Sequence, residues 1–334
     1  VAVVSQGPAR LPHGGEPPQD IAKAGPDWLD LSTGIAPFAY PFAPPPQETW
    51  RNLPRQREER AVLSAAAHHF GLGQEGDICL GPGSQALLQL APELVPAGAA
   101  TVLTPTYNEH AHHWALAGHG VEEISDLAEL PAQCRYLVVV NPNNPTGEVQ
   151  ERGKLLALTE TMAARDGYLI VDEAFCDLLP EASLGGEAGR PGLLVLRSFG
   201  KFFGLAGLRL GFLLGPEGFI AMARERIGPW PVDGPALAIA AQAYGDTDWI
   251  SAHRQALSQQ AAKLRRILAG HGNIIGGTDL FVLLQADNSA DIAARLAAAR
   301  IHVRDFAEQP TWLRLGLPGG EAAWKRFEAA LAPI

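Results

Sequence analysis

Ser198, Lys201 and Arg209 stand close together in LLVLRSFGKFFGLAGLRLGFLL, with Gly200, Gly204 and Gly207 interleaved. A lysine framed by glycines and aromatics, after an apolar run, is either a snorkelling loop residue or a desolvated amine. In the second case its pKa falls, as a Schiff-base nucleophile requires. The hydroxyl three residues before it and the guanidinium eight after it suit a phosphate dianion. The glycines let backbone N–H groups approach such an anion closely. A second candidate anion site is the glycine-rich turn GPGSQ, with Gly83, Ser84 and Gln85, which follows an apolar run and opens a helical pattern. Asp172 closes YLIVD with a carboxylate that is poorly placed for a structural role unless it is paired. Asn144 lies in NPNNPTG, whose two Asn-Pro pairs demand a rigid, extended turn. Tyr107, in TPTYNEH, suits either plain packing or a place over a flat ring.

The elements that must position these groups are βα units. Strands are predicted at Ile78–Leu80, Ala100–Leu103, Tyr136–Val140, Tyr168–Val171, Leu193–Leu196 and Leu208–Leu214, with helices at Gln85–Leu94, Glu148–Arg165 and Gly215–Arg226. Asn144, Asp172 and Lys201 then follow three successive strand ends, 28 and 29 residues apart. Parallel strands gather their carboxyl ends on one edge, where α/β ligands bind. The prolines of 41–54 read as an extended crossover without helix. Arg55–Phe70 reads as a helix with His68 and His69 as surface or capping residues. Beyond the break at Gly228–Pro235 the pattern is α+β, with strands at Leu280–Leu284, Ile301–Arg304 and Trp312–Leu317. The expected organisation is an arm with a small-domain segment over 1–40, a large domain over 41–232 and a small domain over 233–334.

The 334 residues are 47% hydrophobic and 19% charged, ample for a sizeable core. A net charge of −10 argues against nucleic acid or an anionic membrane as partner. Cys79, Cys134 and Cys176 show neither metal spacing nor a paired framework and are expected to be buried thiols. VAVVSQGPAR is too short and too soon broken for a secretory leader. No apolar run approaches the roughly 20 residues of a membrane span, so a cytoplasmic protein is expected.

Taken together, these motifs resemble the fold-type I pyridoxal-phosphate (PLP) enzymes, in the class I/II aminotransferase branch. The resemblance runs from the arm to Arg314 and implies an aspartate-aminotransferase-like fold: a large domain with a mostly parallel central sheet plus a small α+β domain. It implies that Lys201 carries PLP, Asp172 pairs with the pyridine nitrogen, Asn144 bonds the ring oxygen and Tyr107 stacks on the ring. Gly83, Ser84, Gln85, Ser198 and Arg209 would cradle the cofactor phosphate, and Arg314 would bind the substrate carboxylate. Homodimerisation is likewise implied.

Two positions depart from that pattern. The motif DEAF places Phe175 where a tyrosine is usual, which leaves Asn144 as the main ring-oxygen donor. Leu53 replaces a tyrosine that reaches the partner subunit's phosphate. HGG (His13–Gly15), DWLDLSTGIAPFAYP and DEAF are similar to the threonine-phosphate decarboxylases of cobalamin biosynthesis within that branch. A phosphorylated amino-acid substrate follows, whose phosphate would meet His13, Arg304 and Arg10, with Ser32, Thr33 and Gly34 as neutral contacts; a solvated or structural role is the alternative for the two arginines. A histidinol-phosphate-type aminotransferase is the alternative. An effector-sensing module would want a basic winged-helix segment, and none is present.

Overall fold

Runs of leucine and β-branched residues build the centre of the molecule. The structure is a computed structural model that describes residues 13–16, 27–73 and 76–332; Arg10 lies outside them. Its strands in chain order are β1 (Leu29–Leu31), β2 (Gly76–Gly81), β3 (Ala99–Leu103), β4 (Gly120–Ile124), β5 (Tyr136–Val140), β6 (Tyr168–Asp172), β7 (Leu193–Ser198), β8 (Gly211–Pro216), β9 (Asn273–Gly277), β10 (Phe281–Gln285), β11 (Ile301–Asp305) and β12 (Trp312–Gly316). Seven form one sheet in the order β2-β8-β7-β6-β5-β3-β4. Pairing is parallel from β7 through β4, and β8 runs antiparallel to both its neighbours. β5 and β7 are buried along their whole length, as strands covered on both faces must be.

The other sheet has the order β1-β11-β12-β10-β9. Its β1 comes from the start of the described chain and pairs in parallel with β11, Leu29 opposite Ile301. The chain therefore returns to its own beginning, which brings residues 27–34 beside Arg314 on β12.

The helices are α1 (Glu48–Arg51), α2 (Gln56–His69), α3 (Ser84–Glu93), α4 (Glu109–Leu116), α5 (Arg152–Ala163), α6 (Phe199–Phe202), α7 (Glu217–Ile227), α8 (Gly234–Gly245), α9 (Thr247–Leu268), α10 (Ser289–Ala298) and α11 (Glu321–Leu331). In α9, Ile250, His253, Leu257, Ala261, Leu264 and Leu268 make one buried stripe at helical spacing. Asp246 starts that helix by accepting the Trp249 N–H at 3.0 Å. Among the described residues no helix is long and apolar enough to cross a membrane. All three cysteines are free and buried.

Several expectations need correction. The crossover 41–54 does contain one helical turn, α1, because no proline falls between Pro46 and Pro54. His69 is not a surface residue: its Nε2 donates to Asp177 Oδ1 at 3.0 Å. The same carboxylate accepts from Arg197, which also donates to Glu173 at 2.8 Å. Glu173, Asp177 and Arg197 of this cluster are buried. Arg209 interrupts the expected strand 208–214 with φ of +49°, so β8 begins only at Gly211. The edge strands β4 and β9 carry no strand signal in the sequence, since GVEEI and NIIGG lack apolar alternation; exposed Glu122 and Glu123 suit an unpaired edge.

Candidate active site

The carboxyl ends of β5, β6 and β7 converge on a cavity of about 350 Å³. β6 delivers Asp172 and β7 delivers Ser198, whose next turn, α6, carries Lys201. The turn after β5 supplies Asn144, and α3 begins at Ser84 directly behind Gly83. Tyr107, Gln85 and Arg209 complete this large-sheet half of the lining. From the other sheet come Thr33, Gly34 and Arg314, and from the arm His13.

Lys201 is a largely desolvated amine that lines the cavity wall. Among the described residues no hydrogen bond or ion pair engages its Nζ, which stands 5.3 Å from the centroid of the Phe175 ring. Burial lowers its pKa against the attraction of Asp172, and the Arg314 and Arg209 charges add to the lowering. Asp172 presents the opposite case. Burial works to raise its carboxyl, but the hydrogen bond and charge of His110, the charge of Lys201 and the Ala174 N–H outweigh it and hold the pKa below the ordinary value. His110 Nε2 lies 3.0 Å from Asp172 Oδ2, and the Ala174 N–H donates to Oδ1 at 3.0 Å. The Tyr107 phenol is pushed well up, first by burial and then by the Glu109 and Asp172 charges, so it stays neutral. Its O–H donates to Gln85 Oε1 at 3.0 Å.

Opposite them, the start of α3 forms an anion cradle. Gly83 has φ of +87°, and a Cβ there would lie 2.6 Å from Arg209 Nη2. Only glycine leaves room for the guanidinium beside the N-terminus of α3, where both can face one anion. Gly211 performs the same service for Ser84, whose nitrogen would be 2.2 Å from an added Cβ.

Arg314 is buried, donating through Nη1 to Asn144 Oδ1 and through Nη2 to the Ser32 carbonyl. Its Nε has no partner among the described residues. Burial and the nearby Arg304 charge bring its pKa down to about 10, so it remains a cation. A buried cation with an unspent donor calls for an anion.

Two anticipated contacts stand elsewhere. Ser32 is fully buried, with its hydroxyl donating to Asp30 at 2.6 Å and accepting the Gly15 N–H at 2.8 Å. It braces the arm and does not line the cavity. Arg304 lines an adjoining cavity of about 370 Å³, whose wall shares His13, Tyr107, Asn144 and Arg314. The sequence reading also passed over Glu109 and His110, both in the quoted TPTYNEH. A charged pair at the head of a helical pattern is the signal the sequence offers, and nothing local names their partners.

These residues fit PLP. The unpartnered Lys201 amine suits its aldehyde, the Gly83–Arg209 cradle its phosphate and the ionised Asp172 its ring nitrogen. Fold and site thus define a PLP-dependent enzyme of the aspartate-aminotransferase-like fold. The chain belongs to the aminotransferase class I and II family, whose model matches residues 12–324. A threonine-phosphate decarboxylase of Pseudomonas aeruginosa is 44% identical to it over 91% of this chain and 91% of its own. One of a Sinorhizobium species is 42% identical over 97% of this chain and 98% of its own. The solved histidinol-phosphate aminotransferase of Clostridium acetobutylicum superposes with a TM-score of 0.77 at 20% identity, covering 90% of this chain and 98% of that one.

Proposed function

We propose that this chain decarboxylates L-threonine O-3-phosphate to (R)-1-aminopropan-2-yl phosphate with PLP, a reaction the resemblance sets in cobalamin biosynthesis. The observation that carries the reading is near-full-length similarity to two threonine-phosphate decarboxylases at above 40% identity. The fold does not discriminate, because an aminotransferase shares it.

When bound, PLP supplies an electron sink for whichever bond at the substrate Cα stands perpendicular to its ring. The residues choose that bond. Arg314 grips the α-carboxylate with a planar fork, and its orientation decides whether the carboxylate or the hydrogen is perpendicular. Asp172, kept ionised by His110, holds the proton on the ring nitrogen. Asn144 donates to the ring oxygen, with Phe175 giving only a hydrophobic wall. Lys201, of lowered basicity, would anchor the cofactor and would serve as the proton donor to the substrate Cα. Gly83, Ser84, Ser198 and Arg209 hold the cofactor phosphate, with Gln85 contributing its backbone N–H. His13, Thr33, Gly34 and Arg304 face the substrate phosphate. Tyr107 would stack on the ring. We further propose a cytoplasmic homodimer, a reading consistent with the exposure of Trp50 and Leu53 in the 41–54 crossover.

Incubation of the purified protein with PLP and L-threonine O-phosphate tests this directly. Release of CO2 with an equal amount of phosphorylated amine, and no keto acid present, is the expected result. Turnover only after 2-oxoglutarate and histidinol phosphate are added, with glutamate accumulating, would instead make the chain an aminotransferase.

A further inference from the structure

Glu109 lines neither cavity, yet it is a charged residue only 8% exposed. It opens α4, where the helix N-terminus favours a negative charge. Its Oε1 lies 3.0 Å from His13 Nε2. Its Oε2 accepts from Gln85 Nε2 at 2.8 Å and faces His113 Nε2 at 2.9 Å. Three N–H donors satisfy a carboxylate that burial would otherwise penalise.

An ionised carboxylate only accepts, so it dictates how each neighbour must turn. Gln85 has to point its amide nitrogen at Glu109, which leaves Oε1 to receive the Tyr107 hydroxyl. His13 has to carry a proton on Nε2, which leaves Nδ1 for whatever enters the shared mouth of the two cavities. His13 also rests beside Tyr107, ring centroids 5.9 Å apart. The arm is fastened again within the next two residues, where the Gly15 N–H meets Ser32 Oγ and Gly14 passes so close that a Cβ would lie 2.5 Å from the Ser32 carbonyl oxygen.

We propose that Glu109 is a positioning residue that seats the arm through His13 and orients the Tyr107 ring through Gln85, so that one buried carboxylate sets two walls of the active site. This rests on the cofactor and substrate reading above, but it concerns contacts that exist without either.

The test compares wild type, Glu109→Gln, His13→Ala and the double variant. Hydrogen exchange of the 13–16 segment in the holoenzyme reads the arm, and a PLP titration of the apoenzyme reads the Tyr107 wall. With Glu109→Gln, arm exchange rises about tenfold and the PLP Kd rises several-fold, the loss expected of hydrogen bonds to a charged group. With threonine phosphate as substrate, KM rises while kcat changes little, and the double variant has the KM of His13→Ala alone. Unchanged arm exchange, or KM effects that simply multiply, would overturn the proposal. Should wild type fail to turn over threonine phosphate, the substrate reading falls while exchange and PLP affinity still decide the role of Glu109. If Glu109→Gln does not fold, Gln85→Leu must weaken PLP binding without freeing the arm, and His13→Ala must do the reverse; any other pattern refutes the two-branch design.

Discussion

Arg314 Nη1 donates to Asn144 Oδ1, joining residues 170 positions apart. With its oxygen spent on the guanidinium, the Asn144 amide keeps its Nδ2 hydrogens for an oxygen inside the cavity. On the proposed function, that contact would tie the substrate-carboxylate end of the site to the cofactor-ring end and let Asn144 act as a donor without a tyrosine at position 175.

Replacing Arg314 by lysine keeps the charge and removes the fork. Because bidentate pairing is lost, kcat/KM should fall by roughly 10- to 100-fold, the worth of one charged hydrogen bond. PLP affinity should hardly change. Steady-state kinetics beside a cofactor titration separate the two, and an equal loss in both would show that Arg314 is simply structural.

His110→Ala removes the donor that keeps Asp172 ionised in a buried place. The Asp172 pKa should then rise, and activity should acquire a new acid limb in which turnover falls as the pH is lowered. A kcat–pH profile measures it, and a profile identical to wild type would sever His110 from Asp172 function.

Gly83→Ala places a side chain where φ is +87° and where Arg209 already lies 2.6 Å from the new atom. The displaced guanidinium should weaken PLP binding about tenfold or more, with the backbone itself strained by about 1 kcal/mol. Fluorescence titration of the apoenzyme reads the affinity and a melting curve reads the strain.

For Lys201 the folded pKa lies below the unfolded one, so the proton is held less tightly in the native state. The amine therefore opposes folding at neutral pH, and this penalty disappears as the pH climbs past its unfolded value of 10.5. Lys201→Met should raise the Tm of the cofactor-free protein, by about 1–2 °C for each kcal/mol gained, while abolishing turnover. A lower Tm would mean that the lysine stabilises the fold.

Asp177 gives the opposite sign. Burial would raise its carboxyl, but the Arg197 charge and the His69 hydrogen bond bring it down to about 2 from 3.8. Its stabilisation is therefore complete above about pH 4 and is lost as the pH falls through 2, a difference on the order of 2 kcal/mol. Asp177→Asn should be less stable at pH 7 and should lose part of the wild-type decline between pH 4 and 2. Acid titration of Tm for both proteins checks this.

What the sequence determined by itself was what short-range physics encodes. Continuous apolar runs marked β5, β6 and β7, and the βα spacing placed Asn144, Asp172 and Lys201 on one sheet edge. The glycines and Arg209 announced an anion cradle, since a close backbone approach needs glycine whatever the fold. Tertiary structure alone decided which polar groups meet. His69, quiet on its helix, became a partner of Asp177; Ser32 turned inward to Asp30 and Gly15; Arg314 reached the cavity while Arg304, directly opposite it in the β-ladder, faced the adjoining one. Glu109 and His110 acquired their roles only when α4 packed against α3, the arm and β6. A hydrogen bond or ion pair between distant residues leaves no periodic trace in the chain, because its energy depends on a distance that only the folded backbone sets.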